Sequence, residues 1–175
     1  MKNGKTDLDF LREAYEFANQ YSLDRSVKNA ALLVNNGEVI VRAANCFPRK
    51  VNITDERLAK RPDKYYFTEH AERAAIFLAI KDGITDFKDL VMYCPWHSCH
   101  DCARAIIGVG IKEVVGHQST LDIDESIARK DGRINWKESI EAAWKMYNEV
   151  GVKYRYVVGK VGGVKNLHAG QIWEP

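Results

Sequence analysis

Long apolar stretches are missing from this chain of 175 residues. Its longest uninterrupted run, Ala74 to Ile80, is seven residues, where a helix crossing a bilayer needs roughly 20. A membrane-spanning protein is therefore not expected. An excess of one charge is missing too: 26 Lys and Arg stand against 24 Asp and Glu, a net charge of +2. Domains that coat nucleic acid usually carry a strong basic excess, so no nucleic-acid partner is expected; a small anionic substrate needs only a few local cations. The opening Met1-Lys-Asn-Gly-Lys-Thr-Asp has no apolar segment behind its lysines. It does not read as a signal peptide, and a cytoplasmic protein is expected. Cysteine is scarce, with Cys46, Cys94, Cys99 and Cys102. Four cysteines permit two disulfides, but without an export signal a close pair points to a metal or redox site. Repeats and low-complexity tracts are also absent. What remains, 46% hydrophobic and 29% charged residues, is the balance of a soluble globular protein, read as one domain over residues 1–175.

The patterning is that of an α/β domain. Asp7 to Gln20 puts Leu8, Leu11, Tyr15 and Ala18 on one helical stripe, widened by Phe10, Ala14 and Phe17. Ala30–Val34 and Val39–Ala43 flank Asn35-Asn36-Gly37, a hairpin signal because Asn and Gly tolerate positive φ. Arg49 to Phe67 reads as irregular, with six Lys or Arg and three acids; it is either a solvated linker or a lid over an anionic ligand. Glu69 to Lys81 is a helix whose seven-residue apolar run implies burial on most sides, stopped near Gly83. Leu90–Tyr93, Cys102–Val109 and Glu113–Gly116 form a strand, helix and strand, hence a parallel pair. Trp136–Val150 is a further helix and Tyr154–Val158 a further strand, while the tail, residues 159–175, suits an edge hairpin. The sheet is expected to be mixed.

Two short stretches carry the chemistry: His70-Ala71-Glu72 and Cys99-His100-Asp101-Cys102, each opening a helix. Two sulfurs spaced Cys-x-x-Cys at a helix start can hold one cation, and the positive end of the helix favours thiolate. Ser98 and Asp101 have the spacing of a capping box. A structural zinc adds two more protein ligands, whereas a catalytic zinc adds one and keeps a position for water. His70 is the natural third ligand. Glu72 beside it explains an open fourth position: the metal lowers the pKa of a water, and the carboxylate takes its proton. Hydroxide so formed would attack an amidine-type carbon, and Glu72 would protonate the ring nitrogen and the departing ammonia. His-x-Glu alone is weak, and Cys-x-x-Cys alone has thioredoxin-type redox as a rival. The two together, separated by a strand, form the arrangement that zinc nucleobase deaminases use.

On these residues the chain resembles the cytidine deaminase-like superfamily, closest to the deoxycytidylate branch. The resemblance runs through Glu69-His70-Ala71-Glu72-Arg73, the block Cys99 to Ile107, Gly110-Ile111-Lys112-Glu113-Val114-Val115, Trp136 to Val152 and the closing Gly170 to Pro175. Asn45-Cys46-Phe47-Pro48 looks like the family's Asn-x-x-Pro loop. It implies a three-layer α/β/α fold with a five-stranded mixed sheet, and hydrolysis of dCMP to dUMP with zinc as cofactor. It also implies that Asn45 and the backbone of Ala71 contact the pyrimidine and that Glu72 reaches N3 and the amine. Homo-oligomers, and dCTP and dTTP as regulators bound with Mg²⁺, are further implications. Two positions depart from the pattern: Ser98 replaces a proline before the first cysteine, and Ala74 an asparagine after the glutamate.

Other residues invite a role. Trp96 either stacks on a base or plugs the core. Arg25 and Lys28 are candidate phosphate contacts, with surface solvation as the alternative. Tyr65, Tyr66 and Phe67 are read as packing residues with one stacking partner among them. His97 and His100 are read as loop residues, His117 as a structural histidine, and Cys46 and Cys94 as small buried hydrophobes. The competing functions are deamination of another cytosine-type nucleoside, nucleotide or polynucleotide, and a zinc-stabilised nucleotide-binding module without catalysis.

Overall fold

A computed structural model describes residues 4–121 and 136–175. Its main sheet has five strands: β1 (Ala30–Asn35), β2 (Glu38–Ala44), β3 (Val91–Tyr93), β4 (Glu113–His117) and β5 (Lys153–Val157), in the order β2-β1-β3-β4-β5. The pairs β1–β2 and β1–β3 are antiparallel, while β3–β4 and β4–β5 are parallel. The expected hairpin is present. Asn36 (φ 48°) and Gly37 (φ 80°) form its turn, and two consecutive positive φ values match the twist of the flanking strands.

Alternation along the strands sorts side chains to the two faces. Ala31, Leu33, Met92 and Val114 face one core; Leu32, Val34, Tyr93 and Val115 face the other. Strand β2 departs from this rule at a bulge. Leu33 pairs with Val41 but Val34 with Val39, leaving Ile40 as the extra residue. The slip lets Val39 and Val41 serve opposite cores.

Helix α1 (Asp7–Tyr21) covers the second face with Phe10, Leu11, Ala14 and Tyr15. It starts where it does because Thr6 and Asp9 form a reciprocal capping box. Helices α4 (Ala71–Lys81), α5 (His100–Val109) and α6 (Lys137–Val150) cover the first face. The three layers and the mixed sheet are as the patterning and the resemblance imply.

Three expectations need correction. Residues 49–67 are not irregular throughout: they hold the short helices α2 (Asp55–Ala59) and α3 (Asp63–Phe67). Neither shows an apolar period, because each buries one residue, Leu58 or Lys64. Helix α4 is not buried on most sides. Phe77 and Ile80 are 55% and 51% exposed, since the sheet and α5 cover only the face carrying Ala75, Ile76 and Ala79. The tail does form a hairpin, β6 (Asn166–His168) with β7 (Gln171–Trp173), but as a sheet of its own and not on the edge of the main one. It packs beside α1, where Trp173 meets the Tyr15 ring edge-on at 6.0 Å. Among the described residues no helix is long and apolar enough to cross a membrane.

Candidate active site

His70 and Cys99 occupy the N-cap positions of α4 and α5, each with extended backbone and neither capping its own helix. Ordinary N-cap side chains spend an oxygen on the helix's first amides; these two are left for other partners. Ser98 does not supply the cap expected of it. It is buried against the phenol of Tyr147. At α4 the cap comes from outside the helix. The Asn45 side-chain carbonyl accepts the Ala71 N–H at 3.0 Å, tying the end of β2 to the start of α4. Arg73 joins the two helix heads by pairing with Glu69 at 2.5 Å and Asp101 at 3.6 Å.

This convergence brings three donor atoms together. Cys99 Sγ lies 3.5 Å and Cys102 Sγ 3.6 Å from His70 Nδ1, and the sulfurs are 3.6 Å apart. With zinc–sulfur and zinc–nitrogen bonds of ordinary length, a tetrahedral ion separates two sulfurs by about 3.8 Å and a sulfur from a nitrogen by about 3.6 Å. The triangle therefore fits one zinc ion on three of its four corners. All four cysteines are free thiols. The hydrogen bond with Cys102 holds Cys99 well below the usual thiol range, against burial and with help from His70. The same bond, and burial, push Cys102 up. Burial pulls the His70 imidazole down, but Cys99 outweighs it and the net shift is upward. Two helix N-termini and Arg73 add positive potential, the setting that favours thiolate.

Glu72, in the first turn of α4, is 1% exposed. Burial raises its pKa, partly offset by His70. Neither carboxylate oxygen has a hydrogen-bond partner among the described residues.

These groups open onto a cavity of about 160 Å³. His70, Glu72, Cys99 and Asn45 line its floor. Trp96, Trp136 and Tyr65 supply aromatic wall, with Trp136 edge-on to His70 at 5.6 Å. Trp96 is both wall and packing: it lines the cavity and stacks on His168 of the tail hairpin at 4.3 Å. Ala71 is fully buried behind the cavity, its amide directed at Asn45.

Arg25 and Lys28 do not reach the cavity. Asp24 accepts the amides of Ser26 and Val27, and this turn sends Ser26 and Val27 inward. Arg25 pairs with Asp55 at the surface and Lys28 donates to the Asn19 carbonyl at 2.6 Å. The cavity's cations are instead Arg61 and Lys64, two of the six in the basic segment that sequence reading left as linker or lid. Trp136 and His168 were not legible as wall residues, because each arrives from a distant element. Of the other histidines, His97 lines the cavity while bonded to Tyr156 at 2.9 Å. His100 bonds Ser139 at 2.7 Å, and the buried His117 bonds Tyr15 at 2.9 Å. Tyr66, read as a packing residue, is instead 76% exposed.

Comparison with known proteins agrees with this geometry. Residues 4–118 match the family model for the cytidine and deoxycytidylate deaminase zinc-binding region. A deoxycytidylate deaminase of Pongo abelii is 32% identical over 120 residues, 63% of this chain, and the match spans 65% of that relative's length. Among solved structures, dCMP deaminase from the cyanophage S-TIM5 superposes with a TM-score of 0.58 at 20% identity, over 86% of this chain and 96% of that one. The same phage enzyme has been crystallised with dCMP and dUMP. A diaminohydroxyphosphoribosylaminopyrimidine deaminase/reductase of Thermotoga maritima gives a TM-score of 0.57 at 18% identity, over 86% of this chain and 36% of that one. At these identities the structural matches speak for the fold.

Proposed function

Because the chain belongs to the cytidine and deoxycytidylate deaminase zinc-binding family, we propose that it hydrolyses dCMP to dUMP and ammonia, with zinc held by His70, Cys99 and Cys102. The observation that carries this reading is Glu72. A buried carboxylate without hydrogen bonds costs stability, and its place beside the three donor atoms gives that cost a use. A structural zinc would close its shell with a fourth protein ligand; among the described residues the cluster has three.

Zinc, when bound, supplies the Lewis acidity that makes water a nucleophile near neutral pH. Glu72 would take one proton from the water that adds to C4 and deliver it to N3 of the ring. The second proton reaches the exocyclic amine through the same carboxylate, and the C4–N bond breaks to release ammonia. Burial, by raising the proton affinity of Glu72, suits it to hold a proton between these transfers. Asn45 has one oxygen committed to Ala71, and its amide nitrogen makes only a 3.5 Å contact with the Val27 carbonyl. That nitrogen is free to donate to the pyrimidine carbonyl. Trp96 and Trp136 wall the reacting edge from bulk water.

The test is a metal assay and a substrate panel on the purified chain. About one zinc per chain is expected. Ammonia release is compared across dCMP, CMP, dCTP, deoxycytidine and a short single-stranded oligonucleotide. Turnover favouring dCMP supports the reading. Turnover on the oligonucleotide alone, or none on any member by zinc-loaded protein, rejects it. Adding dCTP or dTTP with Mg²⁺ to the dCMP reaction reads out nucleotide regulation.

A further inference from the structure

We propose that Arg61, with the hydroxyls of Ser26 and Tyr65, receives the 5′-phosphate and so makes the enzyme select a nucleotide over its nucleoside. The inference rests on the deaminase reading and assigns a part of the same cavity that the chemistry at Glu72 leaves unused.

The cavity wall away from the three donor atoms carries Asp24, Ser26, Arg61, Lys64 and Tyr65. Its two long cations are in different states. Lys64 is buried and donates to both oxygens of Asp24, at 2.9 and 3.0 Å. Asp24 also accepts the amides of Ser26 and Val27, so the charge of Lys64 is already cancelled by a buried partner. Arg61 has no carboxylate partner among the described residues. Its Nε donates to the Tyr65 hydroxyl at 3.2 Å and its Nη2 to the Ser26 hydroxyl, also at 3.2 Å. Both partners are neutral. A guanidinium has five N–H donors, and two are used here.

The remaining donors matter because of what they sit beside. Each hydroxyl accepts from Arg61, which leaves its own O–H to donate onward. A planar cation flanked by two outward hydroxyl donors is the complement of a phosphate's oxygens. The same group would be a poor match for a nucleoside's 5′-hydroxyl, which brings no charge to Arg61. The buried Asp24–Lys64 pair fixes both walls, holding the turn that carries Ser26 against the helix that follows Arg61.

Calorimetric titration of the zinc-loaded protein with dUMP and with deoxyuridine reads the subsite without turnover. Wild type is expected to bind dUMP about 10²-fold tighter than deoxyuridine, and Arg61→Gln to remove most of that preference. Arg61→Lys keeps charge without the fork and should recover only part. Ser26→Ala, which leaves the cation in place, should lose several-fold on dUMP alone and guards against misfolding of the arginine variants. Equal wild-type affinity for the two ligands overturns the proposal. So does an Arg61→Gln protein whose two affinities fall in step, the mark of a structural role. Steady-state kinetics on dCMP and deoxycytidine should repeat the pattern, with the loss concentrated in KM. A protein that discriminates in titration yet turns over neither substrate would sink the deaminase reading and leave this one standing.

Discussion

Glu72 shows how much one residue can say when its surroundings are known. Its charge is unsupported by hydrogen bonds and almost sealed from water. Replacing it by the isosteric Glu72→Gln removes proton transfer while keeping shape. Zinc content by metal analysis should stay at about one per chain, and thermal stability should hold or rise, because a buried charge is gone. Turnover of dCMP should fall by about 10²–10⁴-fold, the range for general acid–base catalysis. Activity within a few-fold of wild type would remove Glu72 from the mechanism. That His70, Cys99 and Cys102 group together, with Glu72 in the same cavity, is legible in the sequence, because metal and proton chemistry demand particular residue types at short spacings. Arg61 was not, since an arginine's role depends on whether an acid meets it, and the sequence around it offers three acids.

Elements are held in place by groups that local patterns do not reveal. Asp7 at the head of α1 is an example. It pairs with Arg155 of β5 at 2.6 Å and accepts from the Tyr93 hydroxyl of β3, while Arg155 also holds Glu113 of β4 at 2.6 Å. The Arg155 hydrogen bond leads the causes that lower the Asp7 pKa beneath its ordinary 3.8, with burial opposing. A carboxyl lowered in the folded state adds stability that is fully present above its unfolded pKa. That stability is lost as pH falls through the folded value. Melting temperatures of wild type and Asp7→Asn should therefore differ most near pH 6 and converge as pH drops below about 4. A gap that stays constant from pH 6 to pH 3 would show that the pair contributes nothing through its charge. The element boundaries themselves were close to the sequence reading wherever a period, a cap or a turn marked them. The short helices α2 and α3 escaped notice because Thr54 and the Asp24–Lys64 pair fix them, without an apolar stripe.

At the scale of the whole molecule, one ion would join two helices. His70 leads α4 and Cys99 leads α5, and Arg73 of α4 also reaches Asp101 of α5. Removing metal with a chelator should lower the melting temperature, and one equivalent of zinc should restore it. For zinc at 1,000-fold over its dissociation constant the linkage is worth about 4 kcal/mol. An unchanged melting curve would mean the site holds no ion in solution. The chain's order of residues sufficed for the α/β class, the hairpin, the parallel unit and the metal-and-carboxylate quartet. Each of those rests on periods and spacings of a few residues, which chain geometry turns directly into shared faces. The cavity belongs to the folded state. Asn45 from the end of β2, Arg61 before α3, Trp136 before α6 and His168 from the tail hairpin meet there only because the sheet order and the helix packing bring distant segments to one place. No local rule encodes a meeting of segments 144 residues apart, from Asp24 to His168; burial of the two cores on either side of the sheet settles it.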